Sequence, residues 1–487
     1  MDQTTAKWRV FELSFQGPRE GNPFTEVSFS ADFIHGEDSQ RIGGFYDGDG
    51  VFRIRFLPQR EGEWHYRTHS SAPALDGLCG AFLCTPPEPG SHGPVGVLDT
   101  FHFAHRDGTP FYPFGTTCYA WAHQNAALRE QTLCTLGRSG FNKIRMCVFP
   151  KSYDYNRAEP ECYPFAGSPQ EGFDFTRPNP AFYQNLEDCI ARLGELGIQA
   201  DLILFHPYDR WGFATMGRQA DMRYLRYLAA RLAAFPNIWW AMANEYDLTE
   251  KSPGDWEALG SLLQECDPYR HLCSIHNWGK FYDHGRPWIT HCSIQRVDFY
   301  KTTENTTLWR QEYQKPVVVD ECAYEGNINH CWGNITPQEM TRRFWEGVLR
   351  GGYVSHGETY VHPRDILWWS HGGELHGESP VRIAFLRRLV ESLPAPLSPA
   401  EEPAWSTDYY WDMTCGVIGE EVYLFYFGGY QPAFRVFDLP RGKRYRARLI
   451  DTWNMTDEAL PGTHEGNFRL ELPGRQYMAV LFLQDEA

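Results

Sequence analysis

Basic charge is scarce in this sequence: Lys and Arg number 45 against 62 Asp and Glu, a formal net charge of −17. A field of that sign repels phosphate backbones, so nucleic acid is excluded as a partner and neutral or cationic ligands are favoured. Long apolar runs are missing too. No stretch approaches the roughly 18 consecutive apolar residues of a membrane span, and no membrane association is expected. The first residues, Met1 to Trp8, lack a basic segment followed by an apolar one, so the reading is a cytoplasmic protein without a secretory signal. The 13 cysteines show no CxxC pairing, and Cys147, Cys189, Cys273 and Cys292 fall inside apparent core segments, the pattern of free buried thiols. HExxH and paired-cysteine spacings are absent, so no metal site is expected. GxGxxG and GxxxxGK[ST] are absent as well, and with them any sign of a nucleotide cofactor; no cofactor is expected. No GxSxG elbow marks a serine nucleophile in the central region.

What is abundant is aromatic: Tyr 26, Phe 32 and Trp 17 make up 15% of 487 residues. Flat rings with polar edges suit sugar faces as well as β-sandwich cores. The chain has length for about three domains. Residues 1–95 alternate in short runs such as Trp8-Arg9-Val10-Phe11 and Val51-Phe52-Arg53-Ile54, broken by turns such as Asp47-Gly48-Asp49-Gly50, which predicts an antiparallel β-sandwich. Residues 400–487, with strands near 421–427 and 477–483, predict a second, smaller one. Between them, 98–395 alternates β-branched or aromatic runs with helical patterns. Eight strands are predicted, at 112–119, 143–149, 199–206, 238–243, 272–276, 289–295, 316–321 and 352–358. Helices are predicted behind Asn179-Pro180 and behind the capping box Thr336-Pro337-Gln338-Glu339. Eight such units in about 300 residues predict an α/β fold, a (β/α)8 TIM barrel, with a doubly wound open sheet as the alternative.

In a barrel, chemistry belongs at the C-terminal ends of the strands. Residues able to do it cluster there: Arg145 in strand two, His206 after strand three, Asn244 and Glu245 after strand four, His276 after strand five, Glu321 ending strand seven and Glu358 in strand eight. Trp239-Trp240-Ala241-Met242-Ala243 leads Glu245 into apolar surroundings that would raise its pKa and suit a general acid. Glu321 across the mouth, kept ionised by Arg145, suits a nucleophile. Asp320 alternates with Glu321 and is expected to point away, against a helix. Two loops, 150–178 and 359–380, are long and aromatic, the second carrying Trp368 and Trp369.

Asn-Glu ending strand four and Glu ending strand seven resemble the clan of retaining (β/α)8 glycoside hydrolases. In that clan these acids are acid/base and nucleophile, the strand-two arginine stands by the nucleophile and the asparagine contacts the sugar 2-hydroxyl. More narrowly, Tyr112-Pro113-Phe114-Gly115-Thr116-Thr117-Cys118-Tyr119-Ala120-Trp121 and Gly140-Phe141-Asn142-Lys143-Ile144-Arg145 resemble the apiosidase-like bacterial barrels, whose flanking domains are an N-terminal immunoglobulin-like domain and a C-terminal β-domain. The resemblance departs at three places. The apiosidases have an aspartate where Glu245 stands, so the resemblance does not extend to an identical sugar specificity. Gly357-Glu358-Thr359 stands where the clan has a tryptophan floor, leaving Trp368, Trp369 or Glu358 for that role, and Tyr324 stands in for a tyrosine missing from strand six. The expectation is a retaining glycoside hydrolase, with Glu245 and Glu321 catalytic and Arg145, Asn244, His206, His276, Trp121, Tyr119, Tyr324, Glu358, Trp368 and Trp369 binding substrate. Exo-action on a terminal β-linked monosaccharide, with a leaning to a pentose, of short oligosaccharides or plant glycosides is favoured. A non-catalytic carbohydrate-binding protein and a transglycosidase on the same residues stay open, as does a homo-oligomer.

Overall fold

A computed structural model describes residues 3–363, 367–401 and 413–485. Parts of the expected 359–380 loop and of the boundary before the C-terminal β-region therefore lie outside the described residues. Near the N-terminus a five-stranded sheet, ordered Thr4–Ala6, Cys79–Thr85, Gly62–Ser70, Phe29–His35 and Asp38–Gly43, faces a three-stranded sheet of Phe11–Gln16, Val51–Phe56 and Phe45–Tyr46. Alternation puts Phe11, Phe33, Phe56 and Phe82 between them, with Phe33 and Phe56 stacked at 4.2 Å. A short antiparallel sheet, Val95–Leu98, His102–His105 and Pro110–Phe111, then caps the barrel floor, Phe103 packing on Trp239 and Tyr353.

All eight predicted barrel strands are present: β1 (Phe114–Thr117), β2 (Lys143–Cys147), β3 (Gln199–Phe205), β4 (Ile238–Ala243), β5 (Cys273–Ser274), β6 (Cys292–Gln295), β7 (Val317–Glu321) and β8 (Tyr353–His356). Neighbours run parallel in chain order, β8 pairs back to β1, and a bridge between His276 and Ser293 joins β5 to β6. The closed barrel, not the open sheet, is the fold. Helices follow seven of the eight strands: α1 (Ala126–Leu136), α2 (Pro180–Glu195), α3 (Arg218–Leu232), α4 (Pro253–Cys266), α5 (Thr306–Tyr313), α6 (Pro337–Leu349) and α7 (Ser379–Glu391). The β5–β6 connection has none, which corrects the expectation of eight full units. Trp288 fills the space instead, its indole lying so close to α4 that a Cβ on Gly260 would sit 2.4 Å from the ring.

Helix starts follow the chain's chemistry at α6, where Thr336 accepts from the Glu339 N–H at 3.2 Å and Met340, Phe344 and Val348 are buried. At α2 the expected Asn179 cap is not made. Its amide turns back and donates to the Tyr163 carbonyl at 2.9 Å, leaving Pro180 to open the helix. Towards the C-terminus a six-stranded sheet and a two-stranded ribbon enclose Phe437 and Phe482, with Val422–Tyr426 antiparallel to Met478–Gln484. No helix among the described residues is long and apolar enough to cross a membrane.

Candidate active site

The site rests on a polar layer inside the barrel, where apolar side chains are usual. Lys143 on β2 is fully buried, and its Nζ donates to Asp201 on β3 and Asp320 on β7, each at 2.7 Å. Ser293 and Ser355 donate to Asp320 at 2.6 and 2.9 Å. Gly115 on β1 makes room: a Cβ there would lie 2.3 Å from Ser355 Oγ and 3.2 Å from Lys143 Cε. Burial alone would raise the Asp320 carboxyl, but Lys143 and Arg145 hold it well below the usual range. Asp320 therefore faces into the barrel, not a helix as alternation predicts. Pairing jumps from Ile294–Val319 to Gln295–Glu321, and the bulge lets consecutive acids both face inward.

One level up stand the two glutamates. Arg145, two residues beyond Lys143 and so on the same strand face, donates to Glu321 Oε1 at 3.1 Å and to Asn244 Oδ1 at 3.2 Å. The Tyr119 hydroxyl donates its one proton to Glu321 as well, with Asn244 Oδ1 3.1 Å from the same oxygen. Glu245 leaves β4 with φ +51°, the left-handed region that a non-glycine residue enters at a cost, and this turn aims its carboxyl at the barrel axis. Its Oε2 accepts from the Tyr208 hydroxyl. Turned so that its nitrogen rather than its oxygen meets the two acids, the Gln295 amide bridges the pair, donating to Glu245 Oε1 at 3.2 Å and Glu321 Oε2 at 3.1 Å. Burial, reinforced by repulsion from Glu321, lifts the Glu245 carboxyl from 4.5 to about 7. His276 is buried, which keeps it neutral with help from Arg145, and its Nδ1 accepts from the Glu245 backbone N–H at 3.4 Å.

These acids open into a cavity of about 440 Å³, within the usual range for a small-molecule site. Trp369 anchors one wall, with Tyr153, Tyr155, Tyr324 and Trp332 at ring-centroid distances of 5.2 to 5.8 Å. Of the residues expected from sequence, Glu245, Glu321, Tyr119, Tyr324 and Trp369 line this cavity, and Arg145, Asn244 and His276 hold its acids from behind. Four others do not reach it. Trp121 is buried with its N–H on Met146 Sδ, and Trp368 is buried with its N–H on Thr116 at 2.8 Å. His206 bonds the Phe149 carbonyl at 3.2 Å, and burial pushes it down to about 3. Glu358 accepts the backbone N–H groups of His376 and Gly377 at 2.6 and 2.8 Å, anchoring the segment before α7.

Several lining residues were not singled out by sequence: Lys151, Tyr208, Gln295, Trp278 and Trp332. Gln295 had a signal, since it ends the strand beside β7. Lys151 and Tyr208 follow β2 and β3 in loops where one polar residue looks like another. Among the described residues, no three His, Cys, Asp or Glu side chains gather as metal ligands.

Comparison with known proteins adds the family. The model for the apiosidase-like catalytic domain matches residues 99–408. Two domains of unknown function, DUF5060 and DUF5605, match 4–71 and 411–482. No curated protein matches the chain. Among solved structures, one from Bacteroides vulgatus, provisionally named a glycoside hydrolase, is 39% identical and covers 99% of this chain and 100% of its own, with a TM-score of 0.94. A family 5 glycoside hydrolase from the same organism, at 17% identity, covers 81% of this chain and 94% of its own with a TM-score of 0.64, a likeness of fold. The chain belongs to the apiosidase-like catalytic family, enzymes built on a glycoside-hydrolase barrel.

Proposed function

We propose that this protein is a retaining glycoside hydrolase that removes a terminal β-linked sugar from short oligosaccharides or glycosides, with Glu245 as acid/base and Glu321 as nucleophile. The observation that carries the reading is the Gln295 bridge: with its amide nitrogen 3.2 and 3.1 Å from one oxygen of each carboxyl, those two oxygens lie no more than about 6.3 Å apart, short of the inverting range. Retention uses carboxyls about 5–5.5 Å apart, whereas inversion needs about 6.5–9.5 Å to admit a water. The asymmetry of their partners fits the division of labour. Glu321 meets a guanidinium and a phenol, which suit an anion; Glu245 holds its proton up to about pH 7, as a general acid must.

In the first step Glu245 protonates the departing glycosidic oxygen while a Glu321 oxygen bonds to the anomeric carbon. In the second, Glu245 takes a proton from water as that water displaces Glu321. On this reading Asn244, whose Oδ1 is held by Arg145 behind the acids, turns its amide nitrogen to the hydroxyl beside the anomeric carbon. The aromatic wall supports exo-action.

The test uses activated aryl glycosides and the Glu321→Gly variant with azide. Rescue that yields a glycosyl azide of inverted configuration supports the assignment. Turnover unaffected by Glu321→Gly refutes it. Transfer to an added acceptor sugar in preference to water would make the enzyme a transglycosidase on the same residues.

A further inference from the structure

Lys151 has no part in that mechanism, yet it lines the same cavity while only 2% exposed. Its Nζ is caged by rings, 3.4 Å from the centroid of Tyr119, 4.2 Å from Tyr208, 4.7 Å from Tyr153 and 5.8 Å from Trp369. Ring faces attract the cation but accept no conventional hydrogen bond. Among the described residues the ammonium has neither a salt-bridge partner nor a hydrogen-bond acceptor, although Glu245 and Glu321 line the same cavity. Burial accordingly pulls its pKa below the ordinary lysine value.

The cage also fixes where this charge points. The Tyr119 hydroxyl donates to Glu321 and the Tyr208 hydroxyl to Glu245, so the ammonium lies over the two rings that hold the reacting carboxyls. A sugar presenting its anomeric carbon to Glu321 brings its ring substituents to this wall. For a hydroxyl, a neutral amide such as that of Gln295 is donor enough. Glu245 and Glu321 support the buried charge through space but make no contact with it, and a bound anion would add the direct pair that the cage lacks.

We propose that Lys151 is a specificity residue and that the sugar transferred to Glu321 carries an oxyanion, the carboxylate of a uronic acid or a sulfate ester, which pairs with the caged ammonium. The inference rests on the glycosidase reading above and narrows it, away from the neutral pentose that the sequence favours. The chain's net charge of −17 and the Asp154 carboxylate on the same cavity slow the approach of such a substrate, and among the described residues Lys151 is the one lysine or arginine side chain lining the cavity to receive it.

The test compares kcat/KM on 4-nitrophenyl uronides and 6-sulfated hexosides with their neutral parents, for wild type, Lys151→Met and Lys151→Arg. Wild type is expected to prefer one anionic series by on the order of 100-fold, and Lys151→Met to bring the ratio near one, as for loss of a buried charge partner. Lys151→Arg should retain part of the preference. Because the readout is a ratio, a lower folded fraction does not affect it, and the series that responds tells carboxylate from sulfate. Equal or faster turnover of neutral parents, or a ratio unmoved by Lys151→Met, overturns the inference and leaves the glycosidase standing. If no glycoside is turned over, the earlier reading fails, and calorimetry with free glucuronate, glucose 6-sulfate and glucose decides. Anion binding lost in Lys151→Met supports the cation's role; equal binding of all three by both proteins refutes it.

Discussion

Replacing Glu245 by Gln should make the protein more stable, and only above a certain pH. The native carboxyl titrates at about 7 against an ordinary 4.5 because it is buried beside Glu321. Between those values the folded protein keeps a proton that the unfolded chain has released, so wild-type stability falls as pH rises through the window. At about 1.4 kcal/mol per pH unit, the full cost above pH 7 is on the order of 3 kcal/mol. Glutamine carries no charge to bury. Its oxygen can still accept from Gln295, and the Tyr208 hydroxyl can turn from donor to acceptor for the new amide, so the local bonds survive. Urea unfolding of both proteins should give nearly equal stabilities below about pH 4.5 and a gap growing to about 3 kcal/mol in favour of Glu245→Gln by pH 8. Titrating groups remote from Glu245 are common to both and cancel in the difference. A gap that does not vary with pH, or that favours wild type at pH 8, would refute the view of Glu245 as a carboxyl held at the expense of stability.

Tyr208→Phe removes a hydrogen bond to the Glu245 carboxylate worth about 1.5–3 kcal/mol, so the basic limb of the kcat/KM profile should rise from about 7 by roughly one to two pH units. Lys143→Met leaves Asp201 and Asp320 buried without their shared cation and should cost about 3–5 kcal/mol in urea unfolding, less at acid pH where the aspartates protonate. Gly260→Ala drives a methyl to 2.4 Å from Trp288 and should lower stability by about 1–3 kcal/mol, read by thermal unfolding.

The barrel was legible chiefly from β3, β4 and β7, compact apolar runs that stop at a polar residue, as Val317-Val318-Val319 does before Asp320-Glu321. The two glutamates were legible for the same reason: a carboxylate at the end of a buried strand stands out. What stayed hidden depends on contacts between distant segments. Trp368 and Trp369 are neighbours of one type, and it is the backbone pairing of the Tyr119 and Ala120 N–H groups with the Trp369 and Ser370 carbonyls, at 3.0 and 2.7 Å, that holds the turn putting one in the cavity and the other beneath it. The missing helix after β5 left no mark, since Trp288 reads like any core aromatic until α4 is seen to offer a glycine against it. The bulge that turns Asp320 inward is a property of β6 and β7 together, and alternation along one strand cannot reveal it.

The inward Asp320 explains why β2 carries two cations and not one. Arg145 Nε lies 3.9 Å from Asp201, and Asp320 also acts on Arg145, so an arginine alone would be drawn down towards the buried aspartates. Lys143 sits below it and takes both at 2.7 Å, which leaves the guanidinium ends free for Glu321 and Asn244. On this account Lys143 is a positioning residue that touches no substrate. Its loss should lower kcat with activated substrates through Arg145, beyond any effect of stability. Lys143→Met should therefore remain impaired per folded molecule at a temperature where circular dichroism shows it fully native. Normal turnover under those conditions would show that Arg145 keeps its hold on Glu321 unaided and that the lower layer serves folding alone.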